Sequence, residues 1–121
     1  MSTNVREIGR MKRHQRICKK IHGTADRPRL CVHRSLKNIY VQAIDDAKGH
    51  TICAFSTMDK KFIEGASWKG KVDQAEKLGQ YGGALLLQKG IKQIAFDRGG
   101  YKYHGRIKTL SESLRKAGIQ F

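Results

Sequence analysis

The sequence has little of what marks membrane, secreted and zinc-binding proteins. Its longest apolar runs are four residues, such as 84–87, whereas a membrane-spanning helix needs about 20. Its three cysteines form no CxxC pair and are odd in number, which argues against a disulfide framework, and its five histidines are not spaced as zinc ligands. No apolar segment follows the first charges, so we expect no secretory signal peptide. A reducing compartment such as the cytoplasm is expected, with no cofactor.

Acidic residues are also few, and the resulting excess of positive charge is the strongest feature of the chain. It has 25 Lys and Arg against 10 Asp and Glu in 121 residues, a net charge of +15 and a pI near 10.1. Charge so one-sided repels itself in the folded state and normally persists because a polyanion neutralises it. Nucleic acid is the first candidate partner. Hydrophobic residues make up 39% of the chain, which is enough for one compact domain.

The excess of charge is greatest at the N-terminus, where residues 1–29 hold nine Lys and Arg and two acids. A helix is permitted over residues 5–22, but its cations lie nearly all round it and only Ile17 and Ile21 form an apolar i, i+4 pair. We therefore predict a basic RNA-binding extension, residues 1–28, that is partly disordered alone and ordered on a polyanion. A solvated basic tail is the alternative. The segment lacks the Trp, Phe and Leu that a membrane-surface helix uses, so we expect no membrane partner.

Beyond the extension, the hydrophobic pattern predicts one α/β domain over residues 29–121. Three short strands with alternating apolar residues are joined by short polar turns, which is typical of an antiparallel meander. A helix with an apolar stripe, a fourth strand, a glycine-rich loop and a second helix follow. The predicted strands are 30–33, 39–44, 51–55 and 91–96, the helices are 72–89 and 106–117, residues 57–71 are a solvent-facing loop, and 119–121 are a short edge strand. The order βββαβα(β) implies a mixed sheet packed by helices.

The helix predicted over residues 72–89 contains three glycines, Gly79, Gly82 and Gly83. Each costs ~1 kcal/mol of helix propensity against alanine. We interpret them as sites of close approach between this helix and the sheet.

The segment from Asp97 to Arg106 is the densest candidate binding site. Three glycines allow backbone amides to approach a ligand, the loop leads into a helix N-terminus that favours anions, and two tyrosines alternate with cations. Phosphate and base recognition both fit this pattern. The segment lacks the Lys-Ser or Lys-Thr of a P-loop, so nucleoside triphosphate binding is not indicated. A tight strand-to-helix turn with exposed tyrosines is the alternative, and the net charge favours RNA.

Catalytic chemistry is weakly supported by the sequence. Asp45, Asp46 and Asp97 are too few and too dispersed for a metal-dependent nuclease. Asp97 is instead expected to accept hydrogen bonds in its own loop or to pair with a nearby arginine. His104 has no identifiable nucleophile or orienting acid beside it, and Trp68 is expected to pack on its own domain rather than on a base. We therefore expect no catalytic residue and no metal site.

One face of the predicted sheet is polar and aromatic. Tyr40 and Gln42 share a face, and Arg29, Cys31 and His33 alternate with the apolar residues of the first strand. Such a face suits RNA docking, with Tyr40 as a contact. An ordinary solvent-exposed face is the alternative, and the sequence does not separate the two.

Three motifs over most of the chain resemble those of a known family. They are KKIxGTxxRPRLxVxRS at residues 19–35, NIYxQxIDD at 38–46 and FDRGGYKYHGR at 96–106. In order and spacing they resemble the bacterial-type large-subunit ribosomal protein L-eighteen, from about residue 6 to residue 121. The chain departs from the family pattern at His33, where Phe is common, and over residues 57–76.

The resemblance implies a structural protein of the large ribosomal subunit in the cytoplasm or in an organelle. It implies binding to 5S ribosomal RNA, attachment of that RNA to the large-subunit RNA in the central protuberance, and a neighbouring ribosomal protein L-five. The RNA-binding residues that we expect, Tyr40 from the sheet face and the others from the family motifs, are Arg10, Lys12, Arg13, Arg16, Lys19, Lys20, Arg27, Arg29, Arg34, Ser35, Tyr40, Arg98, Gly99, Gly100, Tyr101, Lys102, Tyr103, His104 and Arg106. A metal-dependent nuclease on a similar fold and a general basic RNA-binding adaptor are the alternatives.

Overall fold

A computed structural model of the chain describes residues 5–121, and for residue 5 and residues 14–20 it describes the backbone alone. Four helices and four strands make up this part of the chain. They are α1 (Val5–Lys20), β1 (Arg29–Arg34), β2 (Ile39–Asp45), β3 (His50–Ser56), α2 (Lys60–Gly65), α3 (Gly70–Gln88), β4 (Ala95–Asp97) and α4 (Arg106–Lys116). The α/β class and the order of strands and main helices predicted from the sequence are confirmed.

The four strands form one mixed sheet in the order β3-β2-β1-β4. The meander β1–β2–β3 is antiparallel, as its short polar turns require, and β4 pairs parallel to β1 after the long return through α3. Leu30, Val32 and Val41 point to one face and are almost fully buried. The residues between them, including Cys31 and His33, point to the other face. The sheet therefore has one apolar face for packing and one polar face, as the alternation predicts.

Helices α3 and α4 cover the apolar face and run in the same direction. Ser113 of α4 donates a hydrogen bond to the carbonyl oxygen of Glu76, and further along both helices a Cβ at Gly83 would lie 2.5 Å from that of Ala117. A Cβ at Gly82 would lie 2.2 Å from the ring of Phe55 in β3. The predicted close approach to the sheet is thus confirmed for Gly82, whereas Gly79 and Gly83 admit α4.

The close approach of Gly82 to Phe55 predicts how a larger residue at position 82 would change the stability of the fold. We expect Gly82→Ala to lower the free energy of unfolding by about 1–3 kcal/mol, because the added methyl group meets an aromatic ring in a packed core. Gly65→Ala is the matched control, since a Cβ there meets nothing within 4 Å and alanine favours helix by about 1 kcal/mol. Urea unfolding measures both changes, and equal effects of the two substitutions would contradict this account of the packing.

The structure differs from the predicted pattern in three places. The loop prediction for residues 57–71 is wrong over Lys60–Gly65, which form α2, and at residues 70–71, where α3 begins. Helix α2 forms because Phe62 inserts into the core and Trp68 stacks on it with ring centroids 5.1 Å apart. The expected packing of Trp68 on its own domain is confirmed. The fourth strand is shorter than predicted, because it begins only at Ala95. Ile91 and Ile94 are buried, but they precede the strand. The predicted C-terminal edge strand is a single parallel bridge between Gln93 and Gln120.

Candidate RNA interface

The glycine-rich loop after β4 is a tight turn built on Asp97. The Asp97 side chain is fully buried, and its Oδ1 accepts a hydrogen bond from the Gly99 backbone N–H at 2.9 Å. Gly99 has φ +68°, and a Cβ there would lie 2.2 Å from the Val32 carbonyl oxygen, so this position excludes a side chain. Gly100 and Gly105 also have positive φ. The loop conformation is therefore fixed by its own backbone and by one buried carboxylate.

Arg29 joins this loop to the β2–β3 turn. Its guanidinium donates to Asp97 Oδ2 at 2.7 Å and to Asp46 Oδ2 at 3.0 Å. The hydrogen bond with Asp46 raises the pKa of Arg29 and lowers the pKa of Asp46. The expectation that Asp97 serves its own loop and pairs with an arginine is confirmed, and Arg29, expected at the RNA, has its guanidinium between two carboxylates.

The three aspartates considered for a nuclease have structural partners. Asp45 caps the hairpin by accepting hydrogen bonds from the backbone N–H groups of Ala47 and Lys48 at 3.0 and 3.3 Å. Asp46 and Asp97, which the sequence suggested were dispersed, converge on Arg29. Among the described side chains, no group of three or more His, Cys, Asp and Glu is placed to hold a metal ion.

Helix α1 is held against the glycine-rich loop by two arginines. Arg10 donates from Nη1 to the Gly99 carbonyl oxygen at 2.9 Å, and Arg13 donates from Nε to the Gly100 carbonyl oxygen at 2.7 Å. Arg10 also pairs with Glu7, which raises the pKa of Arg10 and lowers that of Glu7. These two arginines position α1 beside the loop. Partial disorder of the segment without RNA stays a prediction.

Tyr101 of the glycine-rich loop also contributes to the contact with α1. The residue is buried, and its hydroxyl donates to the Arg34 carbonyl oxygen at 3.0 Å and lies 3.0 Å from His33 Nδ1. The guanidinium carbons of Arg10 and Arg34 lie 5.0 and 5.2 Å from the centroid of its ring. Cation–π attraction therefore holds two arginines at this site, and the ring faces them.

A groove of about 820 Å³ runs between α1 and the glycine-rich loop. We call it the basic groove. Its lining carries five cationic side chains, one carboxylate and His104; the charged residues are Arg6, Glu7, Arg10, Arg13, Arg34 and Lys102. Since Glu7 is paired with Arg10, the positive charge of the other side chains is uncompensated in the groove. A surface with this charge attracts a polyanion.

The remaining predicted site residues are spread more widely. Lys12 is exposed, as are Lys102 and His104 in the basic groove, and the Tyr103 hydroxyl lies 2.6 Å from Ser111 Oγ. Four others donate hydrogen bonds within the chain. Arg27 donates to the Ile94 carbonyl oxygen and Ser35 donates to the Asn38 carbonyl oxygen. Tyr40 donates to Met58 Sδ, and Arg106 donates to the Ser35 carbonyl oxygen. Arg98 is half-buried, and the side chains of Arg16, Lys19 and Lys20 lie outside the described residues.

Sequence reasoning missed two residues of this region. Arg6 lines the basic groove, and its place on the same side of the helical wheel as Arg10 and Arg13 could have indicated it. Lys71, at the start of α3, lies in a cleft with Arg34 and Arg106. No local pattern signals Lys71, because its position depends on the packing of α3.

Known proteins share the sequence of this chain over nearly its whole length. The family model for ribosomal L18 of archaea, bacteria, mitochondria and chloroplast matches residues 4–121. The chain is 50% identical over 112 residues to the large ribosomal subunit protein uL18 of Thermotoga petrophila, covering 93% of this chain and 92% of that protein. It is 49% identical over 118 residues to uL18 of Desulforapulum autotrophicum, covering 98% and 97%. It is 48% identical over 120 residues to uL18c of Spinacia oleracea, covering 98% and 72%. No described helix is long and apolar enough to cross a membrane.

Proposed function

Since the chain belongs to the ribosomal L18 family and is a structural protein of the large ribosomal subunit rather than an enzyme, we propose that it binds 5S ribosomal RNA. In this proposal it helps to attach that RNA to the large-subunit RNA in the central protuberance, with ribosomal protein L-five as a neighbour. Residues 1–28 act as a basic RNA-binding extension and residues 29–121 as the α/β body that carries the glycine-rich loop.

The observation that carries the proposal is the basic groove. It brings cations from three separate segments, α1, the end of β1 and the glycine-rich loop, to one surface. RNA backbone phosphates repeat at short intervals, so a groove lined on several sides by Arg and Lys can neutralise several of them at once. The mechanism is non-catalytic, because cations bind phosphates while a rigid body sets the register.

The side chains of the groove divide into two roles. Arg10 and Arg13 donate to loop carbonyl oxygens and so fix the width of the groove. Arg6, Arg34 and Lys102 are exposed and can meet phosphates directly. His104 is exposed beside them and can stack on a base or contact a phosphate, which is the kind of contact that adds selectivity for RNA shape.

A gel-shift titration tests the proposal. We expect the full chain to prefer folded 5S RNA over random RNA of the same length by at least about tenfold, equivalent to 1.4 kcal/mol. Lys102→Gln is expected to weaken 5S binding. Lys48→Gln removes the same charge from an exposed position in the β2–β3 hairpin that does not line the basic groove, and it is the matched control. Equal affinity for both RNAs would favour the general adaptor instead and would refute specific binding.

A further inference from the structure

Arg106, the first residue of α4, is a buried cation with most of its donors unused. The residue is 8% exposed, and its Nη1 donates to the Ser35 carbonyl oxygen at 3.1 Å. Its Nε and Nη2 have no hydrogen-bond partner. Burial lowers the pKa of Arg106, and the nearby positive charge of Arg34 lowers it further. An arginine stays charged in proteins, so this guanidinium is held below the surface, and no carboxylate of the described residues pairs with it.

Arg106 forms the floor of a cleft of about 510 Å³, which we call the Arg106 cleft. Arg34 and Lys71 are exposed cations in its lining, and His33 lies beside them. The single acid in the lining, Glu7, is the partner of Arg10. The cleft therefore gathers three permanent positive charges, and its one carboxylate is engaged elsewhere.

The N-terminus of α4 adds to this positive field, whereas that of α3 is offset by Asp73 in its own first turn, which accepts a hydrogen bond from the Lys69 N–H at 2.8 Å. Helices α3 and α4 run in the same direction, and their first turns contribute Lys71 and Arg106 to the same cleft. Gly105 at the start of α4 supplies no side-chain cap. The free N–H groups at a helix N-terminus carry partial positive charge and favour anions. The N-terminus of α4 and the cationic side chains thus both favour a negatively charged ligand.

We infer that the Arg106 cleft is a binding site for one phosphate group. Arg34 and Lys71 contact the phosphate at the rim, and the unbalanced charge of Arg106 attracts it from below. The group can be a backbone phosphate of RNA or free inorganic phosphate, which share this chemistry. Where the phosphate is that of RNA, the inference rests on the proposed function; the free ion tests the cleft independently.

Thermal unfolding of the full chain in inorganic phosphate and in chloride, at equal ionic strength, measures the site. A ligand that binds only the folded state raises Tm, and at about ten times its Kd we expect a rise of several degrees. Arg106→Met is expected to lose this rise while melting no lower than the natural chain in chloride, because a partly unpaired buried charge has been removed. Lys116→Gln, at the exposed far end of α4, is expected to keep the rise. The general stabilising effect of phosphate acts equally on all variants, so the difference between them is the result.

An equal rise in the natural chain and in Arg106→Met would overturn the inference. If Arg106→Met does not fold, Lys71→Gln replaces it, since Lys71 is exposed, and an undiminished rise in that variant is equally contrary. Binding to 5S RNA then identifies the source: an about tenfold weaker affinity with a salt slope lower by about one assigns the site to an RNA phosphate. An unchanged RNA affinity with a lost Tm response assigns it to free phosphate. Failure of 5S selectivity alone would refute the proposed function and leave the phosphate response intact.

Discussion

Raising monovalent salt from 50 to 200 mM is expected to weaken the affinity of this protein for RNA by about 10³- to 10⁵-fold. The reason is that each phosphate neutralised by Lys or Arg releases a condensed counterion, and about 6–10 such contacts give a steep slope of log affinity against log salt. The net charge of +15 and the basic groove supply cations for contacts of this number. Filter binding over a series of salt concentrations measures the slope.

The matched comparison is a chain that lacks residues 1–20, which removes seven Lys and Arg and one acid. We expect its slope to be clearly shallower and its affinity at low salt weaker, because one wall of the basic groove is gone. The α/β body is expected to keep a cooperative unfolding transition, since the described residues of the hydrophobic core all lie at or beyond Leu30. An unchanged slope would show that RNA does not use the groove, and loss of cooperative unfolding would contradict the proposed division at residue 28.

Asp97→Ala is expected to lower the free energy of unfolding by about 3–5 kcal/mol, which is the usual cost of removing one partner from a buried ion pair. The substitution takes an acceptor from Arg29 and another from the Gly99 N–H, and the Asp97 side chain that is lost is fully buried. We also expect the glycine-rich loop to lose its fixed conformation, so RNA affinity should fall in parallel. Urea unfolding measures the first effect and gel shift the second.

Two variants define how Asp97 acts. Asp97→Asn keeps an oxygen acceptor for Gly99 but not the charge that balances Arg29, so an intermediate loss of stability is expected. Asp46→Ala removes the second carboxylate at Arg29. The Asp46 side chain is 23% exposed, so this substitution should lower the free energy of unfolding by less, because water can replace the lost carboxylate. If Asp46→Ala were as destabilising as Asp97→Ala, burial would not be the source of the effect.

The sheet and the main helices were predicted well from the sequence. The spacing of hydrophobic residues along a strand or helix is a local property, and the sequence shows it directly. Leu30 and Val32 alternate with polar residues, and a stripe such as Ala75, Leu78 and Leu86 repeats at helical intervals, so each element shows its buried face directly. Helix α2 was missed because its segment is lysine-rich and its single buried anchor, Phe62, has no periodic companion. Its stabilising contact with Trp68 exists only after the chain turns back.

The roles of the arginines were much less predictable. Arg10, Arg29 and Arg106 all occur in basic motifs, yet one holds a loop, one joins two carboxylates and one is buried in a cleft. Nothing in local sequence distinguishes a guanidinium that will meet RNA from one that will meet its own chain. That difference is set by which carbonyl or carboxylate oxygens the fold brings within reach.

The bonds from Arg10 and Arg13 to Gly99 and Gly100 have a consequence for acid tolerance. Their acceptors are backbone carbonyl oxygens, which gain no proton at any ordinary pH. Asp46, in contrast, has its pKa lowered by Arg29, so the stability it contributes is present above its unfolded pKa of about 3.8 and is lost as pH falls through the lower folded value. Acid therefore weakens the ion pair between Arg29 and Asp46, but it does not protonate the carbonyl oxygens that bind Arg10 and Arg13. The two bonds from α1 to the loop keep their acceptors at every ordinary pH, whereas the pair of Arg10 with Glu7, whose pKa is lowered by Arg10, is lost once acid protonates Glu7.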